Sequence, residues 1–294
     1  MKYQFLNVVN LVLLFIGAAK PIAAGKPSAG CGNAPKLVTS AAASTPLTLT
    51  SNGKTRQYYV KLPEGYDNKH QYRLILTLHA LGGNGQLVTV GQGGYLPWYG
   101  LPSLINDTIG AVYISPTGLN SGWWNTNGSD VDFIKAAMKS VEDDLCIDQN
   151  LRFSTGFSHG AAMSFILACA LGKDLRAVAV LSGNPQISGT CPSPGTDPVA
   201  YYAEHGVHDS VLPIAGGRQM RDRFLQNNGC TVKDAPEPTQ GSGTHIKTVY
   251  SGCSAEHPVT WVAFDGDHTP QPMDKGASKT FAADYTWEFF SQFK

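Results

Sequence analysis

The sequence predicts an α/β fold, a single domain built on a mostly parallel central sheet covered by helices on both faces. Apolar runs of strand length recur along the chain and alternate with stretches of helical period, the order a parallel sheet requires. The sharpest run, YRLILTLH at 72–79, is apolar on both faces in its middle, as in a strand covered from both sides. A chain of 294 residues with no internal repeat or low-complexity tract suits one large domain with a sizeable core.

Taken in order, residues 25–35 are rich in Gly, Pro, Ala and Lys and read as an arm, loose or held by a disulfide, too short to be a module. Asn52-Gly53 separates a Leu/Thr run from the alternating run 55–62, the signature of a hairpin closed by a type I′ turn. Buried strands follow at 72–79, 111–115, 151–156, 177–182 and 200–206, and further strands at 245–250 and 259–264. The clearest helix carries Val131, Ile134, Met138, Val141 and Leu145 on one face, with Ser129 and Asp130 as candidate caps. A last helix is expected over 279–290. In open parallel sheets ligands bind beyond the carboxyl ends of the strands, so the chemistry is expected in the loops there.

Lys plus Arg and Asp plus Glu number 22 each, with no block of like charge. This leaves no basic stripe for nucleic acid or an anionic membrane, and predicts a neutral or small partner with no obligate protein partner. Lys2, an apolar run over 8–19 and the small residues Ala23 and Ala24 form the pattern of a secretory signal peptide over 1–24. The run falls short of the roughly 20 residues needed to span hydrocarbon, which argues against an anchor. Cleavage removes Lys2 and Lys20 and no acid, leaving a chain of 25–294 with a net charge of −2.

Secretion places the six cysteines, Cys31, Cys146, Cys169, Cys191, Cys230 and Cys253, in an oxidising compartment, where they read as three disulfides. No CxxC pair points to a metal. The pairing that the sequence singles out is Cys230 with Cys253, which flank a Pro/Gly/Ser-rich excursion over 234–243. Asn106 and Asn127 head Asn-x-Ser/Thr sequons, as expected of a secreted glycoprotein.

The local motif with the most chemical content is Gly156-Phe157-Ser158-His159-Gly160, set between a buried strand and an Ala-rich helix. A nucleophile on a sharp strand-to-helix turn needs neighbours without bulky Cβ groups, and it gains exposure and a helix N-terminus beneath it. An acid and then a histidine should follow along the chain. Asp209 lies just past the strand at 200–206, and His268 follows the strand at 259–264 and a glycine turn. The predicted catalytic set is therefore Ser158, Asp209 and His268. His205 and His208 are rival bases, and Asp265 and Asp267 rival acids, each less well placed by chain order. Two backbone N–H groups should hold the oxyanion, those of His159 and of Leu81, with Ala80 as the alternative to Leu81. His79 is expected to be structural. Tyr95, Trp98 and Tyr99 in one loop and Trp123 and Trp124 in another are candidates to stack on an aromatic acyl group or a sugar.

With these segments in place, the chain resembles secreted fungal feruloyl esterases of carbohydrate esterase family one, relatives of polyhydroxybutyrate depolymerases and some acetylxylan esterases. The resemblance spans nearly all of residues 25–294 and rests on LTLHALGGNG at 77–86, SPTGLNSGWWN at 115–125, STGFSHGAAMSF at 154–165, AVAVLSG at 177–183, HGVHDSVLPIAGGRQMRDRF at 205–224 and WVAFDGDHTPQP at 261–272. It implies the α/β-hydrolase fold and release of hydroxycinnamates from feruloylated plant cell-wall polysaccharide such as arabinoxylan, without metal or organic cofactor. Acetylxylan esterase or polyhydroxyalkanoate depolymerase activity is the alternative within enzymes. A non-catalytic wall-binding protein would be expected to lack a triad member, and none is missing.

Overall fold

The computed structural model describes residues 25–38 and 45–294, so the expected signal peptide at 1–24 lies outside the described residues. Among the described residues nine strands form one sheet: β1 (Leu47–Ser51), β2 (Lys54–Lys61), β3 (Tyr72–Leu78), β4 (Ala111–Pro116), β5 (Ile147–Phe157), β6 (Ala177–Leu181), β7 (Ala200–Gly206), β8 (His245–Val249) and β9 (Val259–Phe264). Their spatial order is β1-β2-β4-β3-β5-β6-β7-β9-β8. The strands from β4 to β9 in that order are parallel, while β1, β2 and β8 pair antiparallel at the two edges. Asn52 and Gly53 both take positive φ between β1 and β2, as a type I′ turn demands.

Among the described residues five α-helices accompany the sheet: α1 (Gly85–Val90), α2 (Ser129–Asp144), α3 (His159–Ala170), α4 (Ile214–Asn227) and α5 (Ala282–Ser291). Alternate residues of one strand belong to opposite layers, which is why the parallel strands read as continuous apolar runs. Leu74, Leu76 and Leu78 of β3 join Phe133, Met163 and Phe224 of α2, α3 and α4. Ile75 joins Val88 of α1, Trp98, and Trp287 and Phe290 of α5 on the other face. Each large side chain buried this way contributes about 1.5–3 kcal/mol.

Helix α2 does not use Ser129 or Asp130 as its cap. Gly128 occupies that position in the left-handed region, and the Asn125 side chain accepts the Asp130 and Val131 N–H groups. Asp130 is buried instead, taking a 2.6 Å bond from Arg56 and the Asn125 N–H at 2.7 Å, so this network anchors the turn that presents Trp123 and Trp124. Helix α5 starts at Ala282, later than the expected 279, because the Thr280 hydroxyl accepts the Ala282 N–H and sets the boundary.

Three disulfides join Cys31 to Cys146, Cys169 to Cys191 and Cys230 to Cys253. The first ties the arm at 25–35 to the start of β5, where Ser28 also donates to the Leu145 carbonyl and Asp148 accepts the Lys26 N–H. Among the described residues no helix is long and apolar enough to cross a membrane.

Strand order reverses at β3, which lies between β4 and β5. A crevice opens at such a switch point. Ser158 follows β5 and residues 79–83 follow β3, so both flank it.

Candidate active site

Ser158 sits between β5 and α3 with φ 57° and ψ −116°, a conformation that costs a non-glycine residue about 1–3 kcal/mol. The flanking glycines make this turn feasible. A Cβ on Gly160 would collide with the Leu78 carbonyl, and one on Gly156 would meet the Gly160 backbone. The pentapeptide thus packs backbone against backbone between β5, α3 and the end of β3, and lifts the serine hydroxyl into the crevice. That hydroxyl makes no hydrogen bond with another described residue.

Asp209 and His268 come from the loops after β7 and β9, neighbouring parallel strands whose ends pair Gly206 with Phe264. His268 Nδ1 donates to Asp209 Oδ2 at 2.7 Å. The other carboxylate oxygen accepts the Val211 and Leu212 N–H groups at 2.9 and 2.6 Å. Burial pushes the Asp209 carboxyl up, but hydrogen bonds from His205, His268 and the Leu212 N–H outweigh it and hold the group well below the usual carboxylate range. An ionised Asp209 can only accept, so in the neutral His268 ring the proton sits on Nδ1 and Nε2 carries the lone pair.

The other acids and histidines are engaged elsewhere. Asp267 accepts the Ser210 and His268 N–H groups, and Asp265 accepts the Gly243 N–H and faces His208 at 3.3 Å. His205 is buried behind Asp209, with Nε2 3.2 Å from Oδ2. The loop that carries His268 is fastened on two sides. Gln271 Nε2 donates to the Gly94 carbonyl at 2.6 Å, and His245 bridges Asp274 and Tyr285 at 2.8 Å each.

His79 frames the opposite wall. Its Nδ1 donates to the Ala80 carbonyl, its Nε2 accepts the Gly118 N–H at 2.9 Å, and burial drives its pKa down to about 4. The Ala80 N–H is spent on the Tyr95 hydroxyl at 2.7 Å, whereas the Leu81 N–H has no partner among the described residues. His159 opens α3, where the first N–H groups have no carbonyl to bond. Its ring is held neutral by burial, with Nδ1 accepting the Trp123 N–H and Nε2 donating to the Ile187 carbonyl at 2.8 Å.

Ser158 and His268 open into a cleft of about 610 Å³ with walls of Leu81, Tyr95, Trp124, Ile187 and Val211. Trp124 is half exposed and meets the His159 ring edge-on at 5.0 Å. The expectation that Trp98, Tyr99 and Trp123 face substrate is corrected here, since all three are buried and none lines the cleft. Trp98 packs on Tyr113, and the Tyr99 hydroxyl donates to the Leu78 carbonyl and accepts the Phe157 N–H. Trp123 stacks on His79 and donates its indole N–H to the His79 carbonyl. They hold the two loops from beneath. Ile187 and Val211, which sequence reasoning missed, lie in irregular loops with no period or motif to mark them. Asn106 and Asn127 are exposed. Among the described residues no cluster of side chains could hold a metal ion.

A strained serine between strand and helix, at the switch point of a mostly parallel sheet and in one cleft with an Asp-paired histidine, is the architecture of the α/β-hydrolases. The profile of the phospholipase/carboxylesterase family matches residues 125–247. Relatives include feruloyl esterase D of Neurospora crassa, 46% identical with 98% of each chain covered, and feruloyl esterase C of Emericella nidulans, 47% identical over 95% of this chain and 96% of that one. The chain belongs to the feruloyl esterases and is a carboxylic ester hydrolase. Solved structures of the same fold include an acetyl xylan esterase from Aspergillus awamori, with TM-score 0.61, 14% identity and coverage of 84% of this chain and 99% of that one. A ferulic acid esterase from Anaeromyces mucronatus gives 0.56, at 16% identity over 85% and 89%.

Proposed function

We propose that this feruloyl esterase works through an acyl-enzyme on Ser158, with His268 as base and acid and Asp209 as the group that fixes its tautomer. The observation that carries the reading is the 2.7 Å bond from His268 Nδ1 to a buried, ionised Asp209, beside a cleft that both His268 and Ser158 line. The bare Nε2 takes the serine proton as Oγ attacks the ester carbonyl, then returns it to the departing sugar alcohol. Water, activated by the same nitrogen, releases the acid. The N–H groups of Leu81 and His159 receive the oxyanion, which the use of the Ala80 N–H by Tyr95 supports.

Apolar walls and the exposed edge of Trp124 suit a planar aromatic acyl group, and the described residues that line the cleft include no Lys, Arg, Asp or Glu to demand an ionised one. We assign as substrate the hydroxycinnamoyl esters of plant cell-wall polysaccharide. Residues 1–24 serve as a secretion signal in this reading, and three disulfides and two exposed sequon asparagines suit an extracellular glycoprotein.

The test compares the secreted protein with Ser158→Ala for release of ferulate, p-coumarate and acetate from arabinoxylan and from methyl hydroxycinnamates. Loss of the nucleophile should cost on the order of 10⁶ in turnover. Hydroxycinnamate release by the parent alone supports the whole reading. Acetate release alone overturns the substrate, and a fully active variant overturns the mechanism.

A further inference from the structure

The Asp209 carboxylate has a second imidazole on it. His205, the penultimate residue of β7, is fully buried, and its Nε2 lies 3.2 Å from Asp209 Oδ2, the same oxygen that receives His268. That nitrogen is also 2.7 Å from the Leu212 carbonyl. A carbonyl only accepts, so Nε2 carries the proton and shares it between the carbonyl and the carboxylate. The Leu212 N–H in turn donates to Asp209 Oδ1. His205, Leu212 and Asp209 thus close a ring that meets the carboxylate at both oxygens.

Packing alone does not account for an imidazole at this position. Its Nδ1 is buried without a hydrogen-bond partner, which an apolar side chain would avoid. Helix α4 also gives way to it, because a Cβ on Gly217 would collide with that Nδ1. His205 does not line the cleft and cannot touch substrate.

We propose that His205 is a positioning residue for the reaction: its Nε2–H fixes the rotation of the Asp209 carboxylate so that Oδ2 stays in line with His268 Nδ1. The Val211 and Leu212 N–H groups hold Oδ1 alone, so without His205 only His268 itself would set where Oδ2 points. With the Val211 and Leu212 N–H groups on Oδ1 and His205 on Oδ2, each oxygen has its own fixed donors besides His268. This role rests on the reading of Asp209 as the triad acid.

The experiment is a double-mutant cycle on methyl ferulate, with kcat, KM and melting temperature measured for His205→Leu, His205→Gln, Asp209→Ala and His205→Leu with Asp209→Ala. His205→Leu should lower kcat about 10- to 100-fold, the worth of a hydrogen bond to a charged group, with KM nearly unchanged. His205→Gln should recover most of this, because its amide N–H can stand where Nε2–H stood. In the Asp209→Ala background the leucine should lower kcat no further, since the group it acts through is gone. A full additional loss in that background, or a glutamine variant as impaired as the leucine one, overturns the proposal. Should the leucine variant fail to fold, His205→Asn, whose shorter amide falls short of Asp209, takes its place with the same expectations. An Asp209→Ala enzyme with parental kcat would instead overturn the triad reading and leave His205 without a carboxylate to position.

Discussion

The floor and the rim of the cleft are built from different materials. On the floor, polar groups are buried and tied: Asp209 accepts four donors, His79 and His159 use both ring nitrogens, and Tyr95 caps the Ala80 N–H. At the rim, Leu81, Trp124 and Val211 are between 50% and 61% exposed, the inverse of where apolar side chains normally sit. A hydrogen-bonded floor holds geometry for a transition state, whereas an exposed apolar rim is free to meet a ligand. Changes at the floor should therefore appear in kcat and changes at the rim in KM.

The sharpest test of this division is Asp209→Asn. It keeps the shape but permits the wrong His268 tautomer, and kcat should fall about 10⁴-fold while the melting temperature moves little. Trp124→Ala comes next, removing an aromatic edge worth about 0.5–1.5 kcal/mol. KM for methyl ferulate should rise up to about tenfold with kcat nearly constant, and an acetate ester should not register the change. A kcat loss in that variant would break the comparison. Tyr95→Phe, which leaves the Ala80 N–H without its partner, should lower kcat by about fivefold, the worth of one hydrogen bond.

The smallest effect on chemistry is expected beneath the floor, at Glu204. Burial, only partly offset by the hydrogen bond from Tyr202, pushes this carboxyl up to about 8 from an ordinary 4.5. The folded chain then holds a proton that the unfolded chain releases, so the contribution to stability is complete below about pH 4.5 and is lost as pH rises through 8. In Glu204→Gln, neutral throughout, melting temperature measured by calorimetry should fall less between pH 5 and 8 than in the parent.

The same division explains what the sequence disclosed. Strands were legible because burial on two faces leaves continuous apolar runs, and the strand-to-helix turn at Ser158 because backbone contact at Gly156 and Gly160 tolerates no side chain. Trp98 and Tyr99 were misread because an aromatic residue suits a core as well as a ligand. Their positive φ of 54° and 58°, which turns them inward, leaves no trace in composition. Ile187 and Val211 reach the rim from loops remote in sequence, and the pairing of Cys31 with Cys146 spans 115 residues, so neither could be found by spacing. The tie from His205 to Asp209 hid in plain view, since a buried histidine two residues before a loop reads equally well as a rival base.

The side-by-side ends of β7 and β9 also bear on how such a protein can diversify. Asp209 and His268 descend from adjacent strands whose separation is set by the hydrogen-bonded pitch of the sheet, while Trp124 and Ile187 hang from loops that pair with no strand. Heritable variation in those two loops can change the shape of the cleft without moving the bond between Asp209 and His268. For a breeder of new esterases, the loops around those two residues form the alphabet and the sheet beneath them the grammar.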